Sequence, residues 1–188
     1  SGAIRKRLAQ RYASGSEDTF DLLTAIGRDC VGAVQLLPVD EQPTGFDRIE
    51  GEVLNDEAVA DLLRSTVSSG HFAHQDKDRD FRISIAGAQE KTALLRHDDQ
   101  WLRPMGAKPT THIIKPQIGR LPNGIDLTNS VENEHLCLEL VAALGLPVAK
   151  SRIVDFVDRR VLAIERFDRI WTRDGRLLRI PQEDCCQA

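Results

Sequence analysis

The chain lacks any apolar run approaching the roughly 20 residues that a membrane-crossing helix needs, and no apolar signal-peptide core follows its basic start. A membrane-spanning helix is therefore not expected. Metal-binding patterns are missing too: Cys30, Cys137, Cys185 and Cys186 form no C-x-x-C pair and have no adjacent histidines to complete a zinc site. His71, His74, His97, His112 and His135 are scattered, so no metal site is expected. The thiols read as buried or surface groups in a reducing cytosol, which places the protein in the cytoplasm. An excess of one charge is also absent. With 25 basic against 29 acidic residues and a formal net charge of −4, there is no electrostatic case for an autonomous nucleic-acid binder. The basic start from Ile4 to Tyr12 reads as a solvated helix face. Neither G-x-G-x-x-G nor G-x-x-x-x-G-K-[ST] occurs, and there is no internal repeat or low-complexity segment.

What is present is a folded-protein composition, 41% hydrophobic in 188 residues, enough for one domain or two small ones. Asp18 to Ile26 reads as a short capped helix ending at Gly27, and Val31 to Leu37 as a strand stopped by Pro38. A loop follows from Asp40 to Arg48. Asn55 can cap a second helix whose Val59, Leu62 and Leu63 share one face. Residues 69–80 are polar and charged, and a subdomain boundary is expected there, dividing the chain into 1–72 and 73–188.

From Phe81 the periodicity turns to strands, at 81–86, 91–96, 101–103, 111–115, 152–157 and 161–167. Asp98-Asp99 and Asp158-Arg159-Arg160 supply turns between two of these pairs. One prominent helix, Ser130 to Leu144, interrupts them, with an apolar stripe of Leu136, Cys137, Leu140, Val141 and Leu144 and a stop at Gly145-Leu146-Pro147. Its cap is Asn129, with Glu132 three residues on, or Ser130. Asp174-Gly175 reads as a hairpin turn, and Pro181 to Asp184 as the beginning of another helix. The fold class is α+β: a strand-rich lobe carrying one main helix, preceded by an N-terminal α/β subdomain.

The residues with the most chemical promise lie in the hairpin pattern from Phe81 to Leu95. Gly87 has no Cβ, Ala86 and Ala88 are small, and Gln89 and Lys91 can add donors, so a phosphate could approach bare backbone N–H groups. An ordinary glycine-containing hairpin fits the same pattern. Lys115 follows Ile113-Ile114 in an expected central strand, where it either holds an ammonium group in the sheet's concave face or ends the strand in water before Pro116. Glu134 sits on the margin of the apolar stripe, beside Cys137 and Val141, within reach of a neighbouring sheet. Glu132 lies on the opposite margin and can complete the cap, and a solvated Glu134 that only complements the helix dipole is the alternative.

The string Ser84 to Lys91, continued by Thr110 to Lys115, Val131 to Glu134, Glu165 to Asp168 and Pro181 to Asp184, resembles the HipA family of bacterial toxin serine/threonine kinases. A weaker similarity runs through Phe20 to Leu23 and Ile26 to Val34. The resemblance implies a kinase-like amino-terminal lobe with ATP and Mg²⁺ as cofactors. Ala86, Gly87, Ala88, Gln89, Glu90 and Lys91 would form the phosphate loop. Lys115 would neutralise the α and β phosphates and be positioned by Glu134. The main chain at Glu165, Arg166 and Phe167 would receive adenine. Ser84 would be the autophosphorylated serine, gaining about −1.5 to −2 charges beside the nucleotide.

Family members pair with a HipB-like helix-turn-helix antitoxin, and through it with operator DNA. In the best-known case they phosphorylate glutamyl-tRNA synthetase, which arrests translation and favours persistence. The family's catalytic and magnesium-binding residues lie in a helical carboxy-terminal lobe beyond the Pro181 segment. No catalytic residue is therefore assigned here, and the chain is expected to behave as an amino-terminal fragment that does not transfer phosphate by itself. Two other classes fit: a regulatory module that binds an antitoxin without catalysis, and a non-kinase nucleotide-binding protein on an α+β sheet.

Overall fold

The computed structural model describes residues 5–6, 9–10, 12, 14–37, 39–42, 49–67, 83–84, 89–106 and 108–183. In chain order the first elements are α1 (Thr19–Ile26), β1 (Asp29–Cys30), β2 (Gly51–Leu54), α2 (Asp56–Val67) and β3 (Ile83–Ser84). Next come β4 (Thr92–His97), β5 (Gln100–Pro104), β6 (His112–Pro116), β7 (Gly119–Arg120), β8 (Asp126–Leu127) and α3 (Ser130–Ala143). The last are β9 (Ser151–Phe156), β10 (Arg159–Glu165), β11 (Arg169–Trp171) and β12 (Leu177–Arg179).

The frame is a six-stranded sheet in the order β2-β5-β4-β6-β10-β9, with every neighbouring pair antiparallel. Tight hairpins build much of it. Asp98 and Asp99, with φ of 48° and 59°, form the two-residue turn whose twist matches the strands it joins, and a short side-chain carboxylate tolerates that left-handed backbone. The turn between β9 and β10 falls at Val157 and Asp158, earlier than the sequence pattern suggests, with Val157 at φ 55°. Asp174-Gly175 turns the β11–β12 hairpin as expected, with Gly175 at φ 80°.

Because side chains alternate between the faces of a strand, one face gathers Leu54, Leu94, Trp101, Ile114, Phe156, Val161 and Ala163, and α2 covers it with Val59, Ala60, Leu62 and Leu63. Val59, Ala60 and Leu63 are fully enclosed. The helix starts as the sequence predicts, with the Ala58 N–H donating to Asn55 Oδ1 at 2.8 Å. Near its other end Arg64 reaches Asp158 in the β9–β10 turn at 2.5 Å. Residues 51–67 thus supply an edge strand and a covering helix to the same core as residues 92–163. The division expected at 72/73 does not coincide with a division of this core, because the apolar face of α2 has its partners in the later strands.

On the opposite face Leu95 and Leu102 pack with Leu177 from β12 and with Ile49, and α3 crosses β9 and β10. Two sequence expectations fail here. Residues 31–37 form no strand: the strand is Asp29–Cys30, and Gly32 at φ +72° turns the chain out of extended conformation so that the Leu36 N–H bonds back to Gly27 O at 2.9 Å. The apolar stripe of α3 is largely open, with Leu136 58%, Leu140 56% and Leu144 79% exposed, whereas Val131 near its start is buried.

Trp101 organises the far end of the α2 face. His112 and Phe156 meet its ring edge to face, at 5.2 and 5.9 Å, and the guanidinium groups of Arg96 and Arg152 lie over it at 5.1 and 5.3 Å. Burial, reinforced by the charges of Arg152 and Arg96, depresses the His112 pKa from 6.5 to about 4. Its ring Nδ1 is 2.9 Å from Thr111 Oγ1.

Two outcomes follow. Leu63→Ala should cost about 2–5 kcal/mol in urea unfolding, whereas Leu140→Ala on the open face should change stability by less than about 0.5 kcal/mol. As pH falls through the interval from 6.5 to about 4, the unfolded chain takes up a proton at His112 that the folded chain refuses. Stability should drop by about 1.4 kcal/mol per pH unit from this group, level off below its folded pKa and be unaffected above 6.5. His112→Gln should remove that slope from a pH series of urea midpoints.

Candidate functional site

Lys115 sits in β6 opposite Leu162 of β10, in the middle of the sheet. Its Nζ donates to Glu134 Oε1 on α3 at 2.6 Å, with the two side chains 22% and 34% exposed. Glu134, not Glu132, is the partner. Glu132 is engaged elsewhere: its Oε2 accepts from Gln117 Nε2 at 2.8 Å, and its Oε1 lies 3.2 Å from Arg160 Nε. The Gln117 bond, with help from its own backbone N–H and Arg160, holds the Glu132 carboxyl below its ordinary pKa.

Gln117 explains why the helix is placed so. Its Oε1 accepts from the Val131 N–H and from the Ser130 hydroxyl, each at 3.0 Å, while Ser130 Oγ accepts from the Ile118 N–H at 2.9 Å. One of the N–H groups that helix starts leave unsatisfied, that of Val131, is thereby met from the strand side. The Asn129 side chain makes no capping bond, so the expected cap is replaced by a glutamine two residues beyond the lysine it helps position.

Lys91, just before β4, belongs to the same electrostatic neighbourhood. Burial lowers its pKa, the charge of Lys115 lowers it further, and Glu90 and Glu134 act in the opposite sense. The Gln89 amide donates to Pro116 O at 3.3 Å, which holds the end of the small-residue loop to the end of β6. Ala86, Gly87 and Ala88 lie outside the described residues. Ser84 is placed by its backbone in β3, which pairs in parallel with β1 through Asp29↔Ile83 and Cys30↔Ser84.

At the end of β10 the Glu165 N–H donates to Lys150 O and the Arg166 N–H to Thr111 O, both at 2.8 Å, and Phe167 is 73% exposed. The Arg166 side chain turns inward. Its guanidinium grips Asp168 with two nitrogens at 2.9 and 2.7 Å and also reaches Asp29 Oδ2, Thr110 Oγ1 and Cys30 O. Arg169 bonds Asp29 Oδ1 at 2.9 Å, Asp168 Oδ2 at 2.9 Å, and the carbonyls of Cys30 and Gly32. Arg179 reaches Asp29 Oδ1 at 3.2 Å. Asp29, Thr110, Arg166, Asp168 and Arg169 are all buried.

Within this cluster burial pushes the Asp168 carboxyl up, but bonds from Arg166 and the Gly32 N–H, together with the charges of Arg166 and Arg169, hold it below its usual range. Burial lowers the Arg169 and Arg179 pKa values. Gly32 is required for the geometry, since at φ +72° it donates its N–H to Asp168 and presents its carbonyl to Arg169. Sequence reasoning assigned Arg166 to a main-chain role and passed over Asp29, Thr110, Asp168, Arg169 and Arg179. The signal available was the charge alternation at 166–169 following a buried strand.

Among the described residues no group of three or more His, Cys, Asp or Glu is placed to hold a metal ion, and no helix is long and apolar enough to cross a membrane.

The chain has counterparts among known proteins. The sequence profile of the HipA-like C-terminal domain matches residues 83–188, and that of the HipA N-terminal domain matches residues 1–37. The chain belongs to the HipA family. It is 35% identical over 183 residues to Y4mE of Sinorhizobium fredii, which carries the name of a kinase, covering 96% of this chain and 41% of that protein. It is 29% identical over 174 residues to the serine/threonine-protein kinase toxin HipA of Shewanella oneidensis, covering 91% of this chain and 36% of that one. The fold superimposes with a TM-score of 0.69, at 27% identity, on a chain of the Shewanella oneidensis HipA, HipB and operator DNA complex, covering 97% of this chain and 40% of that chain. The chain therefore spans about two fifths of the length of these relatives.

Breaking the buried cluster should be costly. Arg166→Met leaves buried carboxylates with too few donors and should lose about 3–5 kcal/mol of stability in urea unfolding. Arg64→Met, at an exposed ion pair, should lose less than about 1 kcal/mol in the same measurement.

Proposed function

We propose that this chain supplies the nucleotide-binding part of a HipA-type serine/threonine kinase of a toxin–antitoxin pair. The observation that carries the reading is the 2.6 Å bond from Lys115 Nζ to Glu134 Oε1. A strand lysine held by a helix carboxylate is the arrangement with which kinases neutralise nucleotide phosphates. Lys91 adds a second ammonium group close enough for Lys115 to depress its pKa, and a polyphosphate would relieve that repulsion.

On this reading the ligand is ATP with Mg²⁺. Residues 86–91 and Lys115 hold the phosphates, Glu134 orients Lys115, and the main chain around Glu165 and Phe167 receives adenine. Arg166 takes no direct part there, since its N–H donates to Thr111 O and its side chain is committed to Asp29 and Asp168. Ser84, directly before the loop, is the autophosphorylation site, where a doubly charged group would compete with the nucleotide. The partners are a helix-turn-helix antitoxin and its operator DNA, in keeping with the assembly in which the Shewanella oneidensis relative was solved. Glutamyl-tRNA synthetase is the substrate of the whole enzyme, and persistence its consequence, in the cytoplasm.

Phosphoryl transfer needs a positioned metal and an oriented nucleophile, so the chain alone should bind ATP weakly and transfer no phosphate. Calorimetry with Mg²⁺ and ATP tests this. In the full-length protein Lys115→Met should weaken ATP by about ten- to hundredfold, with Glu134→Gln in the same direction. The isolated chain should bind at least about tenfold less tightly, because a pocket normally covers most of a small ligand. Unchanged ATP affinity in a folded Lys115→Met protein would sink the reading.

A further inference from the structure

The strand that precedes the small-residue segment in sequence is short. β3 is two residues long and pairs in parallel with a β1 of equal length. Two-stranded ribbons are marginal by themselves, and parallel pairing is slightly weaker per residue than antiparallel. What fixes β1 therefore constrains β3.

β1 begins at Asp29, and Asp29 is the hub of the buried cluster. Its Oδ2 accepts from the Thr110 N–H at 3.0 Å, the Thr110 hydroxyl at 2.6 Å and Arg166 Nη1 at 3.2 Å. Its Oδ1 accepts from Arg169 Nη2 at 2.9 Å and Arg179 Nη2 at 3.2 Å. The next residue, Cys30, gives its carbonyl to Arg166 and Arg169 at 3.1 and 3.0 Å. Both residues that pair with β3 are thus pinned to the segment following β10.

We propose that Asp29 is a positioning residue for the nucleotide loop. It anchors β1, and through β1 the Ile83–Ser84 strand that precedes the loop in sequence, to Arg166, Arg169 and Arg179. The assignment rests on the nucleotide-binding reading above. Asp29 does not touch nucleotide and acts through β3. Asp168 retains its own bonds to Arg166 and Arg169, so loss of the Asp29 charge frees the loop strand while leaving the base-receiving segment in place.

The test is Asp29→Asn in the full-length protein, with two measurements. Without nucleotide, hydrogen exchange of amides in peptides spanning 83–91 should quicken by about tenfold while peptides spanning β4 and β6 keep their protection. ATP affinity should fall by about tenfold and adenosine affinity should stay the same, because only the phosphate contacts depend on the loop. If Asp29→Asn does not fold, Arg179→Gln, which removes one of the three guanidinium groups and keeps a donor, should shift both measurements the same way to a smaller extent. ATP binding with unchanged exchange at 83–91, or equal losses for ATP and adenosine, would overturn this assignment alone. No ATP binding by the unmutated protein would overturn the nucleotide reading and this assignment with it.

Discussion

The interaction on which the rest of the structure depends is the buried cluster of three guanidinium groups, from Arg166, Arg169 and Arg179, around the carboxylates of Asp29 and Asp168. Taking such charges out of water costs several kcal/mol each. The Coulombic return is adequate only with near-complete hydrogen bonding, and the carbonyls of Cys30, Gly32 and Asp168 supply acceptors beyond the two carboxylates. An apolar patch of similar size would be non-directional. The cluster instead joins residues 29–32 to residues 166–179 through bonds whose donors and acceptors match at one register. It therefore fixes where the early segment lies, not merely that it is attached.

The Lys115–Glu134 pair has a different character. Both side chains are partly exposed, and an ion pair in that setting contributes little to stability. Its geometry is nevertheless supported from several directions: Gln117 receives the Val131 N–H and the Ser130 hydroxyl at the start of α3, Glu132 is drawn to Gln117 and Arg160, and α3 packs across β9 and β10. Support of that kind for a pair that does not hold the fold together is what a preorganised site requires. Lys91 lies in the same neighbourhood, its pKa lowered by burial and by the charge of Lys115.

Apolar periodicity made α2, the β4–β5, β9–β10 and β11–β12 hairpins and most strands legible, because the residues that share a face are fixed by the local repeat alone; it misread Phe81 to Leu95 as a hairpin, since Ile83–Ser84 pairs with β1 and not with β4. It failed at α3 for an instructive reason. Leu136, Leu140 and Leu144 do fall on one side of the helix, but a shared side says nothing of what covers it, and among the described residues they stay exposed. It failed at 31–37 because the left-handed turn at Gly32 serves the Asp168 and Arg169 bonds, which are made across more than a hundred residues of chain. The Lys115–Glu134 pair was within reach because strand and helix periods aim both residues at one interface. The ionic cluster was not, since charged residues are read as surface until their partners are known.

β6 unites the two arrangements. Thr110, just before it, binds Asp29 through both its N–H and its hydroxyl, and the Thr111 carbonyl accepts the Arg166 N–H, so the strand's start is built into the ionic cluster. Gln117, just after it, clamps the start of α3, and Gln89 bonds Pro116 at its last residue. Lys115 lies between these attachments on a strand hydrogen-bonded on both sides, to β4 and β10. A strand fixed at both ends and along both edges leaves a lysine little freedom except in its side chain, and Glu134 removes most of that. The fold thus turns a buried cluster at one end of a strand into the placement of one ammonium group near the other.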